Sequence, residues 1–159
     1  MKNYIKIGNK KIEISEETAN NLKSQFSDKI KIEDNFYWYK KENENIDTAK
    51  IISIGGYADL QGCSGDLSSL ESIGGSAYLQ GYSGDLYSLG SIGGSADLRG
   101  YSGDLSSLES IGGYADLQGY SKELKKSLAK TLKECGNIYV EFIDEPMTLE
   151  EFKEYAEKL

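Results

Sequence analysis

Across the middle of the chain the apolar positions keep one order. Ile54, Ala58, Leu60, Leu67 and Leu70 are followed at a spacing of 19 residues by Ile73, Ala77, Leu79, Leu86 and Leu89, and the order begins again at Ile92 and at Ile111. The phrase SIGGxAxLxGxS stands four times in that register, with no insertion or deletion. A period this strict is the pattern of a solenoid whose units stack only on their neighbours. Within one unit, Ser95 to Gly100 alternates outward and inward residues, so it reads as a short strand that sends Ala96 and Leu98 into the core. Four such strands would lie parallel, about 4.8 Å apart, over continuous columns of Leu and Ile. Ser102 to Ser110 then carries the chain back to the next strand. Asp104 is placed to cap one short helical turn there and Gly112 to end it, with Leu105 and Leu108 packing beneath. Asp66 and Asp85 hold the same place in their coils, and Glu123 takes that role after the last copy.

The flanks follow other periods. Tyr4 to Ile7 and Lys11 to Ile14 alternate around Gly8-Asn9, a favoured pair for a tight turn, and predict a hairpin. Ser15 offers an N-cap, Glu16 and Glu17 fill a first turn, and Ala19, Leu22 and Phe26 keep helical spacing, so a helix over about 16–27 is expected. Residues 1–35 are thus an N-terminal hairpin-helix cap for the exposed first coil, since terminal units of a solenoid need a polar cover. The solenoid itself is expected over 36–121. Its first coil, 36–52, is degenerate: Asp47, Ile51 and Ile54 stand one period before Asp66, Leu70 and Ile73, and the strand position falls on Phe36, Tyr37, Trp38 and Tyr39. The four regular repeats begin at 53. Residues 122–159 are expected to form a C-terminal cap of helix, strand and helix. Leu124, Leu128 and Leu132 keep helical spacing up to Cys135-Gly136, where Gly ends the helix. Asn137 to Asp144 alternates as a strand that adds a last rung. Pro146 breaks the chain, and Thr148 with Glu151 makes a capping box for the final helix.

The phrase SLESIGGYADLQGYS resembles the leucine-rich-repeat-like units of the form L-x-S-I/V-G-G-x-L-x-L-x-G found in many bacterial and bacteriophage proteins. The resemblance covers residues 53–121. It departs from the usual unit at the Ala position, where Leu is commoner, and the chain lacks the buried Asn ladder of eukaryotic leucine-rich repeats. It implies an α+β fold: a leucine-rich-repeat-like solenoid with a parallel β-sheet, capped by an N-terminal β-hairpin plus helix and by C-terminal helices. The opening, YIKIGNKKIEISEETANNLKSQF, is similar to the hairpin-and-helix starts of phage-encoded accessory proteins from low-GC hosts. That second resemblance implies a phage origin and work in the cytoplasm of the host cell.

Charge changes the picture when it is divided along the chain. Residues 1–52 carry 10 Lys against 9 acids, residues 53–121 carry Arg99 alone against 8 acids, and residues 122–159 carry 7 Lys against 9 acids, so the net charge of -8 divides as +1, -7 and -2. The repeat is the acidic part. Phosphate recognition needs clustered Lys and Arg, so nucleic acid is disfavoured as a direct ligand and a basic protein partner is favoured. The chain has two cysteines, Cys63 and Cys135, expected as reduced thiols. Its start alternates where a signal peptide would be apolar, and no run of about 18 apolar residues occurs, so no membrane is expected and the expected address is the cytoplasm.

Candidate chemistry thins quickly. There is no His, which removes the commonest general base and metal ligand. Gly81-Tyr82-Ser83-Gly84 does not meet the G-x-S-x-G elbow, and the Gly pairs lack the G-K-[ST] of a phosphate loop. GGYAD and GGSAD resemble the Gly-rich repeats of calcium-binding β-rolls, but the third Gly is Ala and the period differs. No cofactor, no metal and no enzymatic activity are therefore expected. The candidate site is the outward strand face, whose columns read Tyr57, Ser76, Ser95, Tyr114; Asp59, Tyr78, Asp97, Asp116; Gln61, Gln80, Arg99, Gln118; and, at its edge, Cys63, Tyr82, Tyr101, Tyr120. Asp97 and Asp116 would sit one strand apart and repel unless solvent or a partner relieves them. Tyr beside acid is a protein-binding composition, because Tyr brings large contact area at low entropic cost. The expected binding residues are Tyr57, Asp59, Tyr78, Tyr82, Asp97, Arg99, Tyr101, Tyr114, Asp116 and Tyr120. The expected function is a non-enzymatic protein-binding module, in its most specific form a phage-encoded inhibitor of the anti-CRISPR kind that blocks a nucleic-acid-binding host defence complex. The alternative is a structural protein that self-associates through its solenoid edges or Tyr rows.

Overall fold

The computed structural model describes residues 3–7, 10–18, 29–40, 43, 46–140 and 145–159. The chain forms two compact units, Met1–Ile30 and Lys31–Leu159. In the first, the strands Asn3–Ile7 and Lys10–Ile14 pair antiparallel with Ile7 opposite Lys10, a register that leaves 8–9 as the connection, itself outside the described residues. Ser15 Oγ accepts the Thr18 amide at 3.1 Å and starts a helical turn at 16–18. The rest of the helix expected over 16–27 lies outside the described residues.

The second unit is a repeat solenoid with two parallel sheets of six strands each. Every regular coil gives a strand to both. Ser91–Ile92 lies in one sheet, Gly93-Gly94 makes a corner, and Ala96–Asp97 lies in the other. The single sheet expected of the repeat is therefore two, and Gly112, expected to end a helical turn, instead occupies a corner. Glycine is required there because the corners stack closely: a Cβ on Gly93 would collide with the backbone carbonyl of Gly74. The two ladders also run in opposite senses. Gly93 donates back to the Ile73 carbonyl of the preceding coil at 2.8 Å, whereas Ala96 donates forward to Tyr114 at 2.9 Å.

The return arm holds a second correction. No helical turn forms at Asp104: its Oδ1 accepts the Ser106 amide at 2.7 Å, and the Leu108 amide reaches the Leu105 carbonyl at 3.0 Å, closing the coil through a turn capped by the aspartate. Asp66 holds Ser68 in the same way at 2.9 Å, and the Asp85 carboxylate accepts the Asp104 amide at 3.0 Å. With two short strands and two bends to a coil, the buried positions come in columns. Ile54, Ile73, Ile92 and Ile111 form one, the Ala58 and Leu60 series two more, and Leu67, Leu86, Leu105 with Leu70, Leu89, Leu108 close the interior.

Both ends of the solenoid extend past the regular repeats. Ile30–Ile32 and Phe36–Tyr37 form the first rung, the latter with Phe36 against Ala58. At the other end the helix α1 (Lys122–Thr131) is N-capped by Ser121, whose Oγ accepts the Leu124 amide at 3.2 Å, so the cap is Ser121 and not Glu123. The helix stops at Thr131, short of the expected Cys135-Gly136, because the Lys133 amide is taken by the Glu109 carbonyl at 2.7 Å and Glu134–Cys135 pairs with Ser110–Ile111. Ile138–Tyr139 then pairs with Ala115–Asp116 as a last rung, while 141–144 of the expected strand lie outside the described residues. The capping box forms as expected: Thr148 Oγ1 accepts the Glu151 amide at 3.3 Å, Glu151 returns a carboxylate to the Thr148 amide at 2.8 Å, and α2 (Leu149–Glu157) follows and packs on α1. No helix among the described residues is long and apolar enough to cross a membrane.

Candidate functional site

The site is the outer face of the sheet that carries the Ala column. The residue after each of the four inward Ala points away from the core, as does the one after Phe36 and after Ile138 at the two ends, and pairing puts all six in register: Tyr37, Asp59, Tyr78, Asp97, Asp116 and Tyr139. Its three aspartates share one local device. In each, Oδ1 accepts the amide two residues on, Gln61 at 3.2 Å, Arg99 at 3.2 Å and Gln118 at 3.1 Å, which steadies the strand end before a glycine of positive φ at 62, 100 and 119. The device spends one oxygen and leaves the other for a further partner.

Arg99 is that partner for two of the three. Its Nη2 donates to Asp97 Oδ2 at 2.6 Å and its Nε to Asp97 Oδ1 at 2.9 Å, while Nε also lies 3.6 Å from Asp116 Oδ2. The fork grip holds the Asp97 carboxyl below its usual range. The repulsion expected between Asp97 and Asp116, which do sit in register one strand apart, is thus relieved from within the chain. Ser76 and Ser95 are occupied differently: each hydroxyl accepts the amide of the equivalent residue in the next coil, Ser95 at 3.1 Å and Tyr114 at 3.2 Å. They tie the corner between the two ladders.

The tyrosines of this face gather at its two ends. Tyr39, Tyr37, Tyr57 and Tyr78 form a chain of edge-to-face contacts with ring centroids 5.9, 5.1 and 6.3 Å apart, and the Lys40 ammonium lies 3.8 Å from the centre of the Tyr37 ring. Tyr114 meets Tyr139 edge-to-face at 5.8 Å at the far end. Tyr39, Tyr78 and Tyr114 are all exposed. Of the residues expected at the site, the structure brings together Tyr57, Asp59, Tyr78, Asp97, Arg99, Tyr114 and Asp116 on one face.

Tyr82, Tyr101 and Tyr120 are not on it. They are 1%, 1% and 2% exposed, stack in the interior with centroids 5.9 and 6.3 Å apart, and continue the column that Cys63 begins. Simple alternation sends Tyr101 outward, but the turn that closes from the Tyr101 amide to the Leu98 carbonyl at 3.0 Å, through Gly100 at φ 65°, rotates the chain and brings the ring inside. There the Tyr101 hydroxyl donates to the Gly84 carbonyl at 2.8 Å and that of Tyr82 to Gly65 at 3.1 Å. Burial pushes the Tyr82 hydroxyl up to about 12 and those of Tyr101 and Tyr120 higher still, and it raises the Cys63 thiol too.

Sequence reasoning missed Tyr37, Tyr39 and Tyr139 as members of the face. The 19-residue period skips at both ends of the solenoid, so a shift by one period does not land on them. The in-out step from Phe36 to Tyr37, read alone, carries the signal. Among the described residues no group of three or more His, Cys, Asp or Glu is placed to hold a metal ion. No protein-family model, curated protein or solved structure matches the chain.

Proposed function

We propose that this chain is a non-enzymatic protein-binding module whose outer Ala-sheet face, acidic at its centre and aromatic at its ends, engages a basic surface on a partner protein. The observation that carries the reading is the in-register column Tyr37, Asp59, Tyr78, Asp97, Asp116, Tyr139 on a rigid support. Aromatic rings that are already packed on one another lose little entropy on binding, and carboxylates fixed by their own turns are aimed beforehand. The absence of His and the engagement of Asp59, Asp97 and Asp116 in their own turns, with Asp97 also in an ion pair to Arg99, argue against catalysis by this face. The most specific form of the reading is a phage-encoded inhibitor of the anti-CRISPR kind that covers the nucleic-acid-binding surface of a host defence complex, acting in the host cytoplasm. It rests on the resemblance of the repeat to leucine-rich-repeat-like units and of the opening segment to phage accessory proteins. Self-association through sheet edges has less support, since the edge at Ile138 is already bonded in both directions to Met147 at 2.8 and 2.7 Å.

The test is a capture experiment with the wild-type chain and with Asp97→Asn plus Asp116→Asn as bait in a low-GC bacterial lysate. Asn keeps the oxygen that caps each strand end, so the fold should persist while the charge goes. A partner held by the wild type should be lost by the double variant. Equal capture by both would remove the acidic centre from the interface.

A further inference from the structure

Among the described residues, one carboxylate of the outward column stands without the cation that its two counterparts have. Asp59, Asp97 and Asp116 share the same backbone device, each spending Oδ1 on the amide two residues on. Asp97 then receives the Arg99 guanidinium in a two-point grip, and Asp116 lies within 3.6 Å of the same group. In the coil of Asp59 the residue at the Arg99 position is Gln61, and among the described residues no cation pairs with Asp59.

The surroundings of Asp59 suit the same kind of group. Tyr37 lies in register on one side and Tyr78 on the other. The Tyr57 ring, two residues earlier, packs edge-to-face on both, at 5.1 Å from Tyr37 and 6.3 Å from Tyr78, so three rings cluster at the strand positions beside and before Asp59. These rings accept cations: Lys40 already lies over the outer part of the cluster, on Tyr37. A guanidinium fits such a place better than an ammonium, because its fork matches a carboxylate at two points and its plane stacks on tyrosine.

We propose that Asp59, bordered by Tyr37, Tyr57 and Tyr78, receives an arginine side chain from a basic segment of the partner protein, repeating in trans the grip that Arg99 makes in cis. This deepens the protein-binding reading above and rests on it. The charge of -7 over residues 53–121 draws such a segment to the face, and the Asp59 cluster is where its arginine is held.

The experiment is calorimetric titration of the full chain with a nine-residue arginine peptide, and with lysine and citrulline peptides of equal length, at low salt. Asp59→Asn keeps the turn-capping oxygen, and Gln61→Arg plants in the first regular repeat the residue that the third regular repeat already tolerates. Melting curves confirm that both variants fold. The arginine peptide should bind most tightly and the citrulline peptide least, and each variant should weaken arginine binding by about tenfold or more, the effect of one charge-assisted pair. Arginine binding unchanged by Asp59→Asn and Gln61→Arg but lost on Asp97→Asn plus Asp116→Asn would overturn the Asp59 receptor and leave the acidic face as an interface. Arginine binding unchanged by all of these would overturn both. A citrulline peptide that binds as well as arginine would also overturn the receptor, since it carries no charge.

Discussion

At the scale of single residues, the interior tyrosines separate two roles that look alike in sequence. Tyr78 and Tyr101 both follow a Leu or Ala of the core by a short step, yet one is exposed and the other buried, and the difference is the turn through Gly100. The buried ladder has a consequence in pH. A tyrosine that ionises at a higher pH folded than unfolded adds stability below its ordinary value near 10, and that stability is lost as the pH rises through the folded value. For Tyr82 the window runs from 10 to about 12, and Tyr101 and Tyr120 extend it upward. The melting temperature should therefore fall steadily above about pH 10, with the part of the tyrosinate absorbance that comes from Tyr82, Tyr101 and Tyr120 delayed until the fold opens. In Tyr82→Phe the alkaline slope should be shallower, because one such group is gone. A melting temperature indifferent to pH across this window would mean that the ladder is open to water.

Among the elements, the coil is the unit of stability, and its weakest substitution points are those shared by two coils. Leu98 is fully buried in its column, between Leu79 of the coil before and Leu117 of the coil after. Neighbouring coils are held apart by their own backbone ladders, so they cannot close on a cavity, and Leu98→Ala should cost about 2 to 5 kcal/mol in a denaturant titration. A loss within about 0.5 kcal/mol would contradict the stacked register. Much of this element was legible beforehand. The period names the columns because an inward position must repeat whenever coils stack, and Ser15 and Thr148 announce caps by chemistry that needs no tertiary context. The division of each coil into two strands was not legible. Strands of two residues, such as Ser91–Ile92, are too short to show alternation, and a Gly pair at a corner reads the same as a Gly pair that ends a helix. The end of α1 was hidden for a related reason, since Glu134–Cys135 leaves the helical period only because an open edge of the Ile sheet takes its backbone.

For the whole molecule, the candidate face was half legible: the acidic column follows from alternation within a strand, but its aromatic ends lie where the period slips and its supposed Tyr edge lies inside. What survives is a face with three fixed carboxylates, one internal arginine and the exposed rings of Tyr39, Tyr78 and Tyr114, on a repeat of net charge -7. The charge of a whole face acts at distances beyond contact, and on encounter more than on residence, so its signature is kinetic. Association with a basic partner should slow by about tenfold or more as ionic strength rises from low to high, while dissociation changes much less, because the Debye length shrinks from about 30 Å at 0.01 M to about 10 Å at 0.1 M. Neutralising Asp59, Asp97 and Asp116 to Asn should flatten that salt dependence, whereas Lys122→Gln with Lys126→Gln, both on exposed positions of α1, should not. Stopped-flow or surface-based kinetics on the captured partner measure both rates. An association rate that ignores salt in the wild type would mean that the repeat's charge serves solubility alone, and a slope that persists in the Asn variant would move the interface to another face of the solenoid.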